Sequence, residues 1–321
     1  MAVEVKNITN DMSVFKSSSS RVISEVKKVI IGKNDLIEDI FIAQLAEGNV
    51  LLEGVPGVAK TTIAKAFASS IGLDFKRIQF VPDILPSDVI GSSIFNQRDM
   101  DFSVHRGPVF TNILLVDEIN RASPKIQSSL LEAMEEKQVS IDGISYMLPN
   151  PFMVISTQNP IDVMGTYPLP EAQIDRFMFK LDVDYPTSGE ELDILRSRNS
   201  GLLADVSKVL SIEDVIQMIE TVKGIRVDDK VLEYIRDLIM ASRSHEKLLL
   251  GGSPRASLSL LKASKAVAAM DGRDYVIPDD VKYLVPKALN HRLIIKPEYE
   301  LENVTPGDVV KDILARVKVP T

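Results

Sequence analysis

One stretch limits this chain more than any other. Gly54-Val55-Pro56-Gly57-Val58-Ala59-Lys60-Thr61 lies between an apolar run, Asn49–Glu53, and a segment with Ile63, Phe67 and Ile71 at helical spacing. A strand, a glycine-bearing turn and a helix in that order aim backbone N–H groups and a helix N-terminus at one point. With a fixed ammonium added, the arrangement suits a phosphate. Lys60 is placed to reach β- and γ-phosphates and the Thr61 hydroxyl to ligate Mg²⁺. The pattern calls for glycine where Ala59 stands, so the match is one residue short. A strand-turn-helix with proline and glycine for geometry alone is the competing reading.

A second stretch favours the phosphate. Ile113-Leu114-Leu115-Val116-Asp117-Glu118 is an apolar strand ending in paired carboxylates. Asp117 would stand near Mg²⁺ and Glu118 beside a water whose proton it accepts. Together the two motifs imply nucleoside triphosphate hydrolysis. An Asn-Lys-x-Asp signature for guanine is absent from the sequence.

Apolar runs at Phe75–Phe80 and Phe152–Ser156 and an alternating run at Phe177–Val183 supply further strands. Helical stretches separate them, notably Pro124–Glu136 behind Ser123 as its cap. Strands alternating with helices predict an α/β fold, a largely parallel five-stranded sheet covered on both faces. Two segments break the alternation: a hairpin over Ser92–Gln97 and Asp101–Arg106, and another over 138–148 around Asp142-Gly143. Residues 1–20, ending in four serines, read as a mobile leader. Residues 21–186 form the nucleotide-binding core, and 187–321, where the β texture stops, a separate all-helical domain.

Composition narrows the rest. Lys and Arg number 37 against 45 Asp and Glu, a net charge of −8, which disfavours nucleic acid as a partner. With no cysteine and three scattered histidines, disulfides, thiolate zinc sites and histidine metal clusters are excluded or unsupported. No apolar run approaches the ~18 residues of a membrane span, and the amino terminus has no export signal, so no membrane insertion and a cytoplasmic location are expected.

Five ordered motifs carry a resemblance: Gly54–Thr61, Asp117-Glu-Ile-Asn-Arg-Ala122, Thr157-Gln-Asn-Pro160, Leu169-Pro-Glu-Ala-Gln-Ile-Asp-Arg-Phe177 and Gly252-Ser-Pro-Arg-Ala256. Over about residues 20–290 the chain closely resembles the MoxR family of AAA+ ATPases, which often writes alanine at the position of Ala59. The resemblance implies an AAA+ core, with the two hairpins as helix-2 and pre-sensor-1 inserts, and a small C-terminal lid. ATP and Mg would be its cofactors. It implies that Asn159 is sensor 1, orienting the attacking water. Arg176 would be an arginine finger serving a neighbouring subunit, and Arg255 sensor 2, in cis or in trans. Ile31 and Gly32 would pack the adenine, and Gly54, Val55, Pro56, Gly57, Val58, Ala59, Lys60, Thr61 and Thr62 would hold the nucleotide. A homo-oligomer, a hexamer by analogy, would then act as a chaperone-like machine on client proteins, von Willebrand factor A domain proteins among them. A metal-chelatase ATPase subunit, an MCM-like nucleic-acid motor and a nucleotide-gated binding switch are the alternatives.

Overall fold

The computed structural model describes residues 11–97, 100–160, 166–199 and 205–320. Eleven strands are found among them: β1 Val50–Glu53, β2 Phe75–Gln79, β3 Gly91–Asn96, β4 Asp101–Arg106, β5 Ile113–Asp117, β6 Gln138–Ile141, β7 Ile144–Met147, β8 Met153–Gln158, β9 Phe179–Asp182, β10 Leu248–Leu250 and β11 Ile294–Ile295. Helices α1 Met12–Lys27, α2 Asn34–Leu45, α3 Lys60–Ser70, α4 Pro86–Ile90, α5 Pro124–Glu136 and α6 Glu171–Ile174 accompany the strands. They are followed by α7 Ser188–Asn199, α8 Ile212–Lys223, α9 Asp229–Arg243, α10 Pro254–Met270, α11 Pro278–Leu289, α12 Pro297–Glu300 and α13 Pro306–Arg316.

Five strands join in the order β2-β5-β8-β1-β9 with every neighbouring pair parallel. Their side chains alternate between two faces. Val50, Leu52, Ile113, Leu115, Met153 and Ile155 join a core with α1, α2, α3 and the later helices. Leu51, Leu114, Val116 and Val154 face a second core with Ile126, Leu130 and Met134 of α5. Near-continuous apolar strands follow, because both faces are covered. The order places β1 and β5, which end in the phosphate loop and in Asp117, on either side of β8.

Both hairpins form. In the second, Asp142 and Gly143 take φ of 49° and 81°, the left-handed pair that a two-residue turn between antiparallel strands needs. The first pairs Phe95 with Phe102, whose rings meet edge to face at 5.2 Å.

The structure departs from the sequence reading in four places. The leader expected over 1–20 is helix from Met12 onward, with Phe15, Ser18 and Ser19 buried; residues 1–10 lie outside the described residues. Asp11 caps that helix by accepting from Ser13 N–H, so the serine run lies within a helix that has an apolar face. The last sheet strand is shorter than Phe177–Val183, because Phe177 and Met178 still belong to the turn before it. The helical part holds one small antiparallel pair, β10 with β11. Ser123 precedes α5 in extended backbone but makes no side-chain capping bond.

Candidate functional site

At the C-terminal edge of the sheet the loop after β1 turns into α3. Gly54 sits where a Cβ would lie 2.4 Å from the Val183 carbonyl oxygen, so only glycine fits against β9. Gly57 takes φ of +86°. Ala59 adopts φ 65°, ψ 20° directly before Lys60. That left-handed conformation is the physical reason the pattern favours glycine there; alanine holds it at a cost of roughly 1 kcal/mol. The Lys60 ammonium donates to the carbonyls of Gly54 and Val55. Burial lowers its pKa, against the opposing pull of Asp117, Glu118 and Glu53.

Asp117, buried at the end of β5, gathers three donors. Thr157 Oγ1 reaches its Oδ1 at 3.1 Å, while Thr61 Oγ1 at 3.4 Å and Arg77 Nε at 2.5 Å meet at Oδ2. Thr61 and Asp117, the two expected Mg ligands, are therefore neighbours. A hydroxyl and a carboxylate are the hard oxygen donors that Mg²⁺ takes beside substrate phosphates, so the residues fit the ion. Glu118 follows in left-handed backbone, φ 58° and ψ 55°. Its N–H donates to Thr157 Oγ1 at 3.0 Å. Its carboxylate accepts from Gln79 Nε2 at 2.8 Å and pairs with Arg121 at 2.9 Å. Asn159 is buried just beyond β8, whose Gln158 is in register with Glu53 and accepts from Gly54 N–H. It thus stands beside the start of the phosphate loop.

A cavity of about 240 Å³ opens beside this loop, lined by Gly57, Val58, Ala59 and Thr62 and walled by Val29, Ile30, Ile31 and Ile194. An apolar slot next to phosphate-binding backbone matches a nucleoside base. Ile31 lines it; Gly32 does not, and its φ of 71° makes it the turn between α1 and α2.

Arg176 and Arg255 lie elsewhere. Met178 N–H donates to the carbonyl of Asn49, the residue before β1, so the turn with Arg176 sits at the N-terminal edge of the sheet. Five residue steps along β1 separate Asn49 from Gly54, about 17 Å at ~3.3 Å per residue. Glu135, at the end of α5, meets both arginines: Arg176 Nη1 at 3.4 Å, and Arg255 through Nη2. Ser253 caps α10 by accepting from Arg255 N–H and donates to Asp175 at 2.9 Å, which fixes where Arg255 emerges. Arg292, buried, pairs with Asp175 at 2.7 Å and donates to the carbonyls of Asp175, Phe177, Met178 and Ala288.

Sequence reasoning missed Arg77, Gln79 and Thr157 at one edge and Glu135, Asp175 and Arg292 at the other. Arg77 and Gln79 stand two residues apart on β2 and so share a face; a strand carrying Lys76, Arg77 and Gln79 beside otherwise apolar neighbours was the available signal. Arg292 has no local signal, since the carboxylate and most of the carbonyls it meets lie more than a hundred residues away along the chain.

A parallel sheet with a phosphate loop after β1, an acidic end on the neighbouring β5 and helices beyond β9 defines an ATPase of the AAA+ class, built as a nucleotide-binding core followed by a helical lid. Residues 49–179 match the ATPase family associated with various cellular activities (AAA), and residues 240–313 match the AAA lid domain. The chain is 48% identical to YeaC of Bacillus subtilis over 94% of each protein. It is 42% identical to Chaperone MoxR1 of Mycobacterium tuberculosis over 94% of this chain and 82% of that one. A crystal structure from Cytophaga hutchinsonii superposes with a TM-score of 0.90 at 40% identity over 97% of both chains. The chain belongs to the MoxR family of AAA+ ATPases, whose members include chaperones, and it is an ATP-hydrolysing enzyme. Among the described residues no helix is long and apolar enough to cross a membrane.

Proposed function

We propose that this chain hydrolyses Mg·ATP in a cleft completed by an adjoining copy of itself, within a ring, and couples turnover to the remodelling of a client protein. The observation that carries the reading is the separation of Arg176 and Arg255 from Lys60 across the sheet. Both arginines pair with Glu135 at a half-exposed edge, at the opposite end of β1 from the phosphate loop, which supports a role outside their own cleft. The core would span 21–186 and the lid 187–321.

Each residue then has a task. Backbone N–H groups of residues 57–61 and the Lys60 ammonium hold the phosphates once that ammonium leaves the loop carbonyls. Thr61 and Asp117 would hold Mg²⁺, which when bound neutralises charge on the phosphate oxygens. Glu118 accepts a proton from the attacking water, which requires it to let go of Gln79 and Arg121. Asn159 orients that water. Arg176 of the neighbour stabilises charge on the transferred phosphoryl group, and Arg255 joins it from the lid. The exposed hairpins and the family resemblance together support a protein client, von Willebrand factor A domain proteins being the class to test first, and a hexamer as the ring.

Mixing defective chains tests the shared cleft. Lys60→Ala removes a chain's own phosphate contact and Arg176→Ala its gift to a neighbour. Each alone should lose about 10²–10³-fold in ATP turnover, while a mixture recovers activity because some clefts combine an intact Lys60 with an intact Arg176. A mixture no more active than its components sinks the reading. Glu118→Gln held in ATP should retain clients in a pull-down.

A further inference from the structure

Three charged side chains from three separate elements meet at the N-terminal edge of the sheet. Glu135 comes from the last turn of α5, Arg176 from the turn before β9 and Arg255 from the first turn of α10. The carboxylate serves both cations at once, one oxygen each: Oε2 lies 3.4 Å from Arg176 Nη1, and Oε1 meets Arg255 Nη2. Two guanidiniums brought side by side repel, and a carboxylate between them offsets that repulsion with two attractions.

Helix α5 supplies no reason of its own for this carboxylate. A negative charge in a last helical turn faces the negative end of the helix dipole, and α5 carries no basic residue there. The neighbouring carboxylates do not share the task. Asp175 is bound to Arg292 at 2.7 Å and reaches Arg255 only at 3.8 Å. Glu47 pairs with Lys223 at 2.9 Å. Glu132 and Glu136 line the adjoining cavity beside Arg176, yet among the described residues neither pairs with Arg176 or Arg255. Of the other cations in the arginine cavity, Lys137 donates to the Phe152 carbonyl at 3.2 Å and Lys262 is exposed.

We infer that Glu135 is a positioning residue for ATP hydrolysis, holding Arg176 and Arg255 together so that both enter a neighbour's cleft as one unit. This rests on the shared-cleft reading above and adds the group that sets the pair. Contact through one nitrogen of each guanidinium leaves other N–H donors for phosphoryl oxygens, so Glu135 need not let go. Glu135→Gln keeps the length and shape of the side chain but loses the charge, and the two cations then spread apart. ATP itself is held by the chain's own loop around Lys60, so the loss falls on the chemical step and not on binding.

Steady-state turnover of full-length chains against ATP tests this. Glu135→Gln should lower kcat about 10²-fold, with KM for ATP within a few-fold of the unaltered chain and an unchanged urea midpoint. Glu132→Gln, one turn away, should change none of these. Mixing then locates the defect. Glu135→Gln with Lys60→Ala should recover activity, because some clefts combine an intact loop with an intact donated pair. Glu135→Gln with Arg176→Ala should not, because every cleft then receives a faulty pair. An unchanged kcat, a loss matched by a raised KM or a lowered urea midpoint, an equal loss in Glu132→Gln, recovery beside Arg176→Ala or none beside Lys60→Ala overturns the inference. Lys60→Ala mixed with Arg176→Ala reports on the shared cleft alone. If that mixture recovers and Glu135→Gln departs from the stated pattern, only Glu135 loses its role; if that mixture stays inactive, the shared cleft falls and the inference falls with it.

Discussion

The two edges of one sheet are built to opposite rules. At the C-terminal edge the acids are buried or half-buried and their partners exchangeable: Thr61 reaches Asp117 at 3.4 Å, and Lys60 leans on carbonyls of its own loop. At the N-terminal edge Arg292 is buried and satisfied by a carboxylate and four carbonyls, while Arg176 and Arg255 share Glu135 and Arg255 also reaches Asp175 at 3.8 Å. One edge keeps groups free to change partners when a ligand arrives. The other fixes a platform so that two cations stay put. An edge whose groups must change partners needs loosely held donors, and an edge that keeps its charges in place needs rigid support.

The contrast breaks first at Glu118. Glu118→Gln should lower single-turnover hydrolysis about 10³-fold while leaving ATP affinity within a few-fold, as measured by rapid quench and nucleotide titration. A loss confined to affinity would mean that the residue only binds. Arg292→Leu should cost about 3–5 kcal/mol in denaturant unfolding, because Asp175 is left without its buried cation. If stability holds and only turnover falls, the platform is not structural.

Lys137 sharpens the comparison by pH. Burial lowers its pKa to about 8 in the cavity shared with Glu135 and Arg176. The folded state therefore binds a proton less readily than the unfolded chain, whose lysine titrates near 10.4. Stability should rise by about 1–3 kcal/mol between pH 8 and pH 10, and Lys137→Met should flatten that rise in urea melts followed across pH. The smallest effect belongs to Ala59→Gly. Relief of the left-handed strain, partly offset by backbone entropy, should give less than about 1 kcal/mol in either direction. A large loss of stability there would show that the alanine methyl itself packs.

The motifs made one edge legible and left the other half dark. Gly54–Thr61 and Asp117-Glu118 are local patterns, since strand, turn and helix follow one another in the chain and their chemistry can be read in order. The α/β class and both hairpins were legible for the same reason, through alternation and the Asp142-Gly143 turn. Arg176 and Arg255 were found by resemblance, but their meeting at Glu135 depends on α5, the turn before β9 and the start of α10 converging, a long-range event that no window of sequence contains. The serine run misled because Ser17–Ser20 favours loops by propensity, while Phe15, Val22 and Val26 supply the buried face that makes the segment helical.

The fastening around Arg292 has a mechanical result. Its guanidinium ties the backbone of residues 175–178 to the end of α11, and Ser253 ties Asp175 to the start of α10. The turn that carries Arg176 has little slack of its own, so any tilt of those two helices swings that side chain like a key on a lever. Motion of α10 or α11 is thereby passed directly to the position of Arg176.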